Sequence, residues 1–465
     1  MQACYKVFRK PASAQRTFAP FSGKPYAFLL ESGRRHRLRG RFSFFSASPF
    51  AVLRYEGGRV TVESEGQKKQ TGRSLQETLR ALMKEYVLPQ EERLSYPFLC
   101  GAVGFLAYDF GFSLEEVRRR HRPQAGIPDL MFGFYDCAVA FDHFKKEMVV
   151  FSSGFPQHGR GRKKRARRRL GEVLQVLEER AGHEMSLPVG SEPAWRSDVT
   201  QREYETAVRK AKAYIAAGDI YQVNLSQRFR GRTRLEDRQI YDRLARAFPA
   251  GFSAYFRGKD FSIISASPEQ FLMFDGQTVA TRPMKGTRPR SGRAGEDARQ
   301  RQQLWKSRKE KAELLMVVDL ERNDLGRVCD YGSVRLREKR TLEAYRTVFQ
   351  ATSEIAGRLH PGKDRWDLLK ACFPGGSVTG CPKIRAMEII EELEPVGRGI
   401  YTGALGYLSF HDTLQFNILI RTLLKIKDRV SFYVGGGIVA DSDPRREYEE
   451  TLVKARALFE AFKDV

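Results

Sequence analysis

Hydrophobic and polar residues alternate along the first half of the chain in short runs that end at turn-forming residues. Such alternation is typical of β-strands with one buried face. Four of these runs read PYAFLLES, RFSFFSASPF, RVTVESEG and MVVFSSG. A pair of packed strands is predicted for the glycine-rich, aromatic run FLCGAVGFLAYDFGF. A helix is predicted for SLQETLRALMKEYVL, because Leu75, Leu79 and Leu82 recur at helical spacing behind a suitable N-cap, Ser74.

The second half contains longer helical periods between strand-like runs. A helix is predicted for TQREYETAVRKAKAYIAAG, which ends at Gly218, and others near residues 296–318, 382–393 and 445–462. Strands are predicted for YQVNLSQRFRG, FSAYFRG, FSIISASPEQFLMF, QTVATRPMKGTR, YTGALGYLSF, TLQFNILIRTLLKI and RVSFYVGGGIVA. Hairpin-connected strands with long helices predict a mixed α+β fold with mainly antiparallel sheet.

One segment rich in proline, glycine and serine, residues 184–195, is the predicted linker. It separates an N-terminal region, 1–185, from a C-terminal region, 196–462. We expect both regions to pack into one globular unit.

Composition narrows the class of protein. Apolar residues make up 41% and charged residues 29% of the 465 residues, as in a globular protein with a core. No apolar run reaches the roughly 18 residues of a membrane-spanning helix, so no membrane partner is expected. The six cysteines form no C-x-x-C pair and are predicted to be free thiols in a reducing cytoplasm, without structural zinc.

The formal net charge is +25, which suits an anionic substrate or a nucleic acid. The densest basic run is GRGRKKRARRRLGEVLQVLEERAG, residues 159–182. It is predicted to be an exposed basic loop followed by an amphipathic surface helix. No aromatic residues interleave with its arginines, so stacking on single strands is not supported, and nucleic-acid binding remains only an alternative.

Two segments each place a pair of glutamates three residues apart. Glu310 and Glu313 share one helical face, and Glu447 and Glu450 share another. Two helices of this kind would hold a hard cation such as Mg²⁺ between oxygen ligands. Either pair alone is more simply a solvated helix face.

Three further motifs suit a small dianion. The loop FPGGSVTGCPKIRAMEIIEELE enters a helix, whose first N–H groups attract anions. The glycines of YVGGGIVADSDP, Gly435 to Gly437, either expose backbone donors or form a bulge. With Lys454 they would surround a carboxylate.

The run FNILIRT adds an arginine to these motifs. Strand alternation predicts Phe416, Ile418 and Ile420 on one face and Asn417, Leu419 and Arg421 on the other. An arginine in so apolar a strand requires a partner, either a ligand carboxylate or an internal salt bridge.

The chain resembles the chorismate-utilising enzymes. The resemblance rests on GDIYQVNLSQRF, SASPEQF, RPMKGTR, ELLMVVDLERNDLGRV, GSVTGCPKIRAMEII, RGIYTGALGY, IRT and GGGIVADSDPRREYEETLVKARA, in order from about 200 to 460. Weaker similarity covers FLLESG, GRFSFFSASP, GAVGFLAYDFG and PDLMFGFYD. It implies two stacked, mainly antiparallel sheets flanked by helices, with a chorismate site in the catalytic region 196–462 and Mg²⁺ on the ring carboxylate.

The resemblance also implies roles for individual residues. Glu313 and Glu450 would bind Mg²⁺, with Glu310 and Glu447 beside them directly or through water. The implied substrate contacts are Arg421, Lys454, Tyr401, Thr402, Gly403, Gly435, Gly436, Gly437, Gly286 and Thr287, and Thr379 would lie near the ring as a catalytic residue.

The loop TRPMKGTRPR distinguishes branches of the family. Members that form anthranilate usually have alanine where this chain has Lys285. The lysine implies attack by its amine at ring C2, loss of the C4 hydroxyl, and amination at C4 by ammonia to give 4-amino-4-deoxychorismate for 4-aminobenzoate and folate biosynthesis. Attack needs a neutral amine, and desolvation or the nearby Arg282 and Arg288 are expected to lower its pKa.

Alternatives remain open at this point. Anthranilate formation is the first, and isochorismate or salicylate chemistry is the second. Gln350 stands where many relatives have histidine, and glutamine cannot act as a general acid near neutral pH. This difference argues mildly against release of pyruvate.

Ammonia is expected from outside the chain. The sequence contains no G-x-C-x-G cysteine elbow of a class I amidotransferase. The resemblance implies a separate glutamine amidotransferase subunit, with free ammonia as a poorer substitute, and no nucleic-acid partner.

Overall fold

The computed structural model describes residues 2–32, 40–179, 192–345 and 348–463. The strands in these ranges form two twelve-stranded antiparallel sheets. The first sheet contains, in spatial order, β1 (Cys4–Arg9), β10 (Glu147–Ser152), β9 (Cys137–Asp142), β3 (Phe42–Ser46), β2 (Phe28–Glu31), β13 (Phe252–Arg257), β14 (Ser262–Ser267), β23 (Thr422–Ile426), β24 (Arg429–Ile438), β12 (Gln222–Arg232) and β11 (Arg196–Ser197), with β20 (Gly380–Cys381) paired to β12. The second contains β17 (Met284–Pro289), β19 (Val348–Arg358), β16 (Thr278–Arg282), β15 (Gln270–Phe274), β22 (Leu414–Ile418), β21 (Ala404–Ser409), β7 (Gly101–Leu106), β8 (Leu130–Tyr135), β4 (Ala51–Glu56), β5 (Arg59–Ser64) and β6 (Gln67–Gln70), with β18 (Arg335–Ala344) paired to β19.

Helices flank these sheets. They are α1 (Ala14–Phe18), α2 (Leu75–Glu85), α3 (Gly111–Leu114), α4 (Gly159–Glu179), α5 (Gln201–Ala216), α6 (Asp237–Ala247), α7 (Ala294–Lys306), α8 (Arg308–Gly326), α9 (Arg365–Cys372), α10 (Lys383–Leu393) and α11 (Pro444–Phe459). None of the described helices combines the length and the apolarity needed to cross a lipid bilayer. All six cysteines are free thiols.

The sheets face each other across an aromatic core. Phe105 of β7 meets Phe256 of β13 edge to face, with ring centroids 5.9 Å apart. Phe44 of β3 meets Tyr407 of β21 at 5.8 Å in the same arrangement. Each pair joins a strand of one sheet to a strand of the other, so the predicted α+β fold with two stacked antiparallel sheets is confirmed.

Each sheet joins a block of strands from the first half of the chain to a block of strands from the second half. In the first sheet β2 pairs with β13, where Leu30 lies opposite Ala254. In the second sheet β7 pairs with β21, where Phe105 lies opposite Leu405. The predicted linker, 184–195, lies outside the described residues as far as 191.

Helix α2 forms as predicted. The Ser74 hydroxyl accepts from the Glu77 N–H, and the Glu77 carboxylate accepts from the Ser74 N–H, so the two residues form a capping box. The pair of strands predicted for FLCGAVGFLAYDFGF is wrong. Only β7 forms there, and the segment after it turns into a 3₁₀ helix and α3, because Gly399 and the buried Asp109 hold that turn.

The basic run is helical from its start, which corrects the predicted basic loop. Helix α4 begins at Gly159, within the arginine-rich half. Arg162 points inward and pairs with the buried Glu92 at 2.6 Å. Arg165 and Arg169 both reach the buried Asp136. These internal ion pairs hold the basic segment against the protein.

Four predicted elements are divided in the structure, and one of them is QTVATRPMKGTR, which forms β16 and β17. The long helix predicted for 296–318 is two helices, α7 and α8, which meet at Ser307, the N-cap of α8. The run FSIISASPEQFLMF forms β14 and β15, which belong to different sheets.

The run TLQFNILIRTLLKI also crosses between sheets. Strand β22 ends at Ile418 in the second sheet, and β23 begins at Thr422 in the first. Arg421 lies in the connection with φ of +50°, so strand alternation does not extend to it. The predicted strand face for Arg421 is therefore wrong.

Candidate active site

Lys285 lies on β17 at the edge of the second sheet and reaches the glycine strand of the first. A methyl group placed on Gly437 would lie 3.5 Å from the Lys285 Nζ. The amine donates to the Ser377 carbonyl at 3.1 Å. Burial lowers the pKa of Lys285, and the nearby Lys454 lowers it further, against opposing effects of Glu269 and Glu313. A lysine placed in this way is closer to the neutral form that a nucleophile needs.

The two arginines beside Lys285 do not produce this shift. Arg282 donates to Glu338, Glu343 and Glu354 at 2.8–3.1 Å, which neutralises it within the second sheet. Arg288 pairs with Glu310 at 2.9 Å. Burial and Lys454, rather than these arginines, lower the pKa of Lys285.

Glu269 is a carboxyl group of this site that the sequence reasoning missed. It is 3% exposed and accepts from the Ser377 hydroxyl at 2.6 Å. Burial raises the pKa of Glu269 to about 7, although the Ser377 hydrogen bond and Lys285 oppose the rise. A carboxyl with this pKa exchanges protons near neutral pH. The motif SASPEQF contains it, but only the fold brings it to Lys285.

Helix α11 lies against the glycine strand, and Glu313 of α8 acts on it electrostatically. A methyl group on Gly436 would lie 3.2 Å from a Glu447 oxygen and 3.9 Å from a Glu450 oxygen. Glu313 of α8 interacts electrostatically with Glu447 and Lys285. Burial raises the pKa of Glu313 and of Glu447, whereas Lys454, 2.7 Å from Glu450, lowers the pKa of Glu450.

The fourth predicted ligand, Glu310, has a different partner. It lies against Arg288, and its Oε2 would be 2.4 Å from a methyl group on Gly286. Gly286 has φ of +74°, a conformation that favours glycine, and a side chain there would displace the Glu310 carboxylate. Glu447 and Glu450 thus lie together on α11 with Glu313 in electrostatic reach, whereas Glu310 is tied to β17.

The donor chemistry of this group fits Mg²⁺. Glu313, Glu447 and Glu450 offer only carboxylate oxygens. Within the described ranges, no three acidic, histidine or cysteine side chains lie close enough together to hold a metal ion. Mg²⁺ is usually bound by one or two carboxylates completed by waters and substrate, so a preformed cage of three is not required.

The glycine strand and Lys454 form the other wall. Lys454 donates to the Gly435 carbonyl at 2.9 Å as well as pairing with Glu450. Gly435, Gly436 and Gly437 lie opposite β12, and a methyl group at any of them would meet a neighbour within 3.2 Å. Gly435 and Gly437 are half-buried and Gly436 is buried, and the absence of side chains lets neighbouring groups approach this backbone closely.

Arg421 is half-buried beside the ring of Phe248. Its guanidinium lies 5.9 Å from the centre of the Phe248 ring, and burial lowers the pKa of Arg421. Among the described residues, no carboxylate forms a salt bridge with it. A ligand carboxylate remains the partner predicted for it.

The predicted pocket residues Thr379, Tyr401, Thr402 and Gly403 lie deeper, around a buried arginine, Arg398. The Thr379 hydroxyl donates to the Gly375 carbonyl at 2.8 Å. Tyr401 stacks on Tyr433 with ring centroids 5.0 Å apart. Thr402 has φ of +59° and accepts from Arg398, and a methyl group on Gly403 would lie 2.2 Å from the Leu106 carbonyl oxygen. These residues pack beneath the site.

Arg398 itself is 1% exposed and was not predicted from the sequence. It donates twice to Glu394, at 2.8 and 3.0 Å, and also to the carbonyls of Val378 and Asn224. It therefore joins α10, β12 and the loop before β20.

Thr287 of β17 lies opposite Gln350 of β19. Thr287 is exposed, and the Gln350 Nε2 lies 3.5 Å from the Thr287 Oγ1. The Gln350 Oε1 is buried without a hydrogen-bond partner among the described residues.

Comparisons with known proteins agree with these features. The chorismate binding enzyme family profile matches residues 26–460. Aminodeoxychorismate synthase component 1 of Klebsiella aerogenes is 38% identical over 454 residues, covering 97% of this chain and 96% of that protein. The Bacillus subtilis protein of the same name is 36% identical, covering 98% and 96%. Anthranilate synthase component 1 of Thermus thermophilus is 39% identical over 440 residues, covering 94% and 92%.

Solved structures share the fold. Anthranilate synthase component I from Streptococcus pneumoniae TIGR4 superposes with a TM-score of 0.80 at 31% identity, covering 92% of this chain and 94% of that chain. The menaquinone-specific isochorismate synthase of Escherichia coli reaches a TM-score of 0.75 at 16% identity, which shows the fold alone. The profile match over residues 26–460, on a fold that brings the predicted residues of α8, α11, β17 and β24 together, shows that the chain belongs to the chorismate binding enzyme family.

Proposed function

We propose that the chain aminates chorismate at ring C4 with ammonia and yields 4-amino-4-deoxychorismate. The observation that carries the proposal is the position of the Lys285 amine, which lies near Gly437 and whose pKa desolvation lowers. Overall identity does not separate the branches, because relatives of both names match at 36–39%. The lysine favours the aminating branch, because the family resemblance implies alanine at that position in members that form anthranilate.

The first step is attack by the neutral Lys285 amine on ring C2. A C2–N bond forms, the two ring double bonds shift, and the C4–O bond breaks. One proton must pass from the attacking nitrogen to the departing oxygen, so that water leaves. Glu269 is suited to this exchange, because its pKa is about 7 and Ser377 links it to the lysine.

The second step reverses the bond changes with ammonia. The ammonia lone pair forms the C4–N bond, the double bonds shift back, and the C2–N bond to Lys285 breaks. One proton passes from the new C4 nitrogen to the departing lysine nitrogen. Lysine is restored, and chorismate and ammonia have become aminodeoxychorismate and water.

The two carboxylates of chorismate match the two walls of the site. We place the ring carboxylate beside Glu313 and Glu450, which would hold Mg²⁺ with Glu447 next to them. Bound there, Mg²⁺ would act as a Lewis acid on that carboxylate. We place the pyruvyl carboxylate at Lys454 and the backbone of Gly436 and Gly437, with Arg421 as a further cation.

We propose a separate glutamine amidotransferase subunit as the source of ammonia. The names of the relatives, component 1, support a multi-component enzyme. The six free thiols agree with work in a reducing compartment such as the cytoplasm, where the product would enter 4-aminobenzoate and folate biosynthesis.

Product analysis tests the proposed function. Purified protein incubated with chorismate, MgCl₂ and ammonium chloride is expected to form a product that keeps the pyruvyl group and gains nitrogen. Mass spectrometry and fluorescence separate it from anthranilate, which has lost pyruvate. Omission of ammonium, or chelation of Mg²⁺, is expected to stop product formation. Anthranilate as the main product would overturn the proposal, and turnover without ammonium would favour isochorismate chemistry.

The pH dependence tests the role of Glu269. The wild-type rate is expected to fall as pH rises above about 7, because Glu269 then loses the proton that the departing oxygen needs. Glu269→Gln is expected to lower kcat about 10²–10⁴-fold and to remove this limb of the profile. The control is Glu321→Gln, another buried glutamate, whose pKa burial raises to about 8 and which accepts from Thr281. If Glu269→Gln keeps the same limb, another group carries the proton.

A further inference from the structure

One lysine of α8 has charge interactions that the proposed mechanism does not use. Lys309 is the second residue of the helix, which begins at Arg308 behind the N-cap Ser307. Its side chain is 54% exposed, and its Nζ lies 3.8 Å from the Glu313 Oε1. This distance is too long for a hydrogen bond, so the ammonium is not committed to a single carboxylate.

The chemistry of the helix does not account for a lysine at this place. The N-terminus of a helix carries a partial positive charge, which disfavours a cation in the first turn. Lysine before glutamate is also the weaker order of an i,i+4 pair. Both effects are small and both are unfavourable, so the position of Lys309 is better explained by charges outside α8.

Carboxylates of α11 supply these charges. Burial raises the pKa of Glu313 and of Glu447, and the charge of Lys309 opposes the rise at both. Lys454 lowers the pKa of Glu450, and Lys309 lowers it as well. The ammonium of Lys309 therefore acts on all three carboxylates to which the proposed function assigns Mg²⁺.

Lys454 is held more firmly than Lys309. It lies 2.7 Å from the Glu450 Oε1 and donates to the Gly435 carbonyl at 2.9 Å. Lys309 has neither bond, and its exposed, flexible side chain is free to turn into water. Mg²⁺ requires carboxylate oxygens of this site, and a fixed ammonium among them would repel it. Of the two lysines, Lys309 is therefore the one that can yield its place to the metal.

We propose that Lys309 is the exchangeable counter-cation of the acidic group formed by Glu313, Glu447 and Glu450. Its ammonium balances these carboxylates before Mg²⁺ binds and withdraws into solvent when the metal enters. The inference rests on the proposed function, because it takes these glutamates as the metal site. Lys309 performs no chemical step. It weakens the binding of Mg²⁺ and protects the metal-free protein from repulsion among the three carboxylates.

Calorimetric titration of the full-length, EDTA-treated protein with MgCl₂ tests this role, without chorismate or ammonium. Lys309→Met keeps the length of the side chain and removes its charge. It is expected to lower the dissociation constant of Mg²⁺ about tenfold, because a solvent-screened repulsion is lost. Lys309→Arg keeps the charge and is expected to retain the wild-type constant.

The matched control is Lys311→Met, which removes the same charge from another exposed lysine of α8. Lys311 lies two residues before Glu313, so the two side chains do not share a helical face. The dissociation constant of Mg²⁺ is expected to stay at the wild-type value in this variant. Added KCl is expected to reduce the difference between Lys309→Met and the wild type, because salt screens exposed charges.

Thermal unfolding provides a second readout. In EDTA, Lys309→Met is expected to melt below the wild type, because the acidic group has lost one of its cations. Saturating MgCl₂ is expected to remove most of this difference, since the metal binds the folded protein. Lys311→Met is expected to melt like the wild type in both buffers.

The outcomes separate the role of Lys309 from the proposed function. If Lys309→Met binds Mg²⁺ no more tightly than the wild type, the counter-cation role is wrong, whatever product the enzyme forms. An equal gain in affinity for Lys311→Met would assign the effect to net charge and overturn the role as well. If neither the wild type nor Lys309→Met binds Mg²⁺, the metal site and the inference fail together. A wild type that forms no aminated product, with the tenfold gain present, overturns the function and leaves Lys309 its role.

Discussion

Replacing Lys285 by alanine is expected to lower the rate of C4 amination by at least about 10³-fold, while chorismate still binds. The lysine supplies the nucleophile, and ammonia acting directly at C2 would produce anthranilate-type chemistry instead. Loss of the lysine should not leave an unpaired buried charge, because burial already favours the neutral form of the neighbouring Glu269. We therefore expect the variant to fold. Product mass and the dissociation constant of chorismate are the measurements.

Two further variants test why the rate of C4 amination falls. Lys285→Arg keeps a positive charge but cannot attack, because guanidinium stays protonated, and it is expected to be as inactive as the alanine variant. Lys311→Ala removes an exposed lysine from the outer side of α8 and is expected to keep the wild-type rate. An active Lys285→Arg would show that the lysine acts through its charge, and a fully active Lys285→Ala would exclude both roles.

Replacing Arg398 by methionine is expected to destabilise the protein by about 3–5 kcal/mol. The change leaves the Glu394 carboxylate buried without its cation and frees the carbonyls of Val378 and Asn224. The midpoint of denaturant unfolding, followed by tryptophan fluorescence, measures the loss.

A surface pair of the same spacing provides the control. Arg445 and Glu449 are also four residues apart, with side chains 75% and 55% exposed. Arg445→Met is expected to cost less than about 1 kcal/mol, because solvent already screens that pair. Equal shifts for the two variants would contradict a structural role for the buried arginine.

Local chemistry explains which parts of the structure were predictable. Helix α2 follows from Ser74 and from the spacing of its leucines, which need no distant partner. The carboxylates Glu313 and Glu450 lie on regular helices, so their approach to one site follows once the family fold is assumed. Lys285 follows from its motif in the same way.

Other features depend on contacts that no local pattern encodes. Arg282 belongs to a cluster of three glutamates from β18 and β19, so its effect on Lys285 was misjudged. The connection at Arg421 passes from one sheet to the other. The alternation of apolar and polar residues along a strand does not reveal such a crossing. Burial of Glu269 and Arg398 comes from elements far apart in the chain, and burial sets the chemistry of both.

Each sheet joins strands from the first half of the chain to strands from the second, and this has a consequence for synthesis on the ribosome. Strand β7 is synthesised early, but its partner β21, in which Leu405 pairs with Phe105, is synthesised much later. Until then β7 exposes an unpaired edge, which invites pairing with other nascent chains. Neither half can complete a sheet alone, so productive folding awaits nearly the whole polypeptide, and chaperones that shield exposed strands should improve its yield.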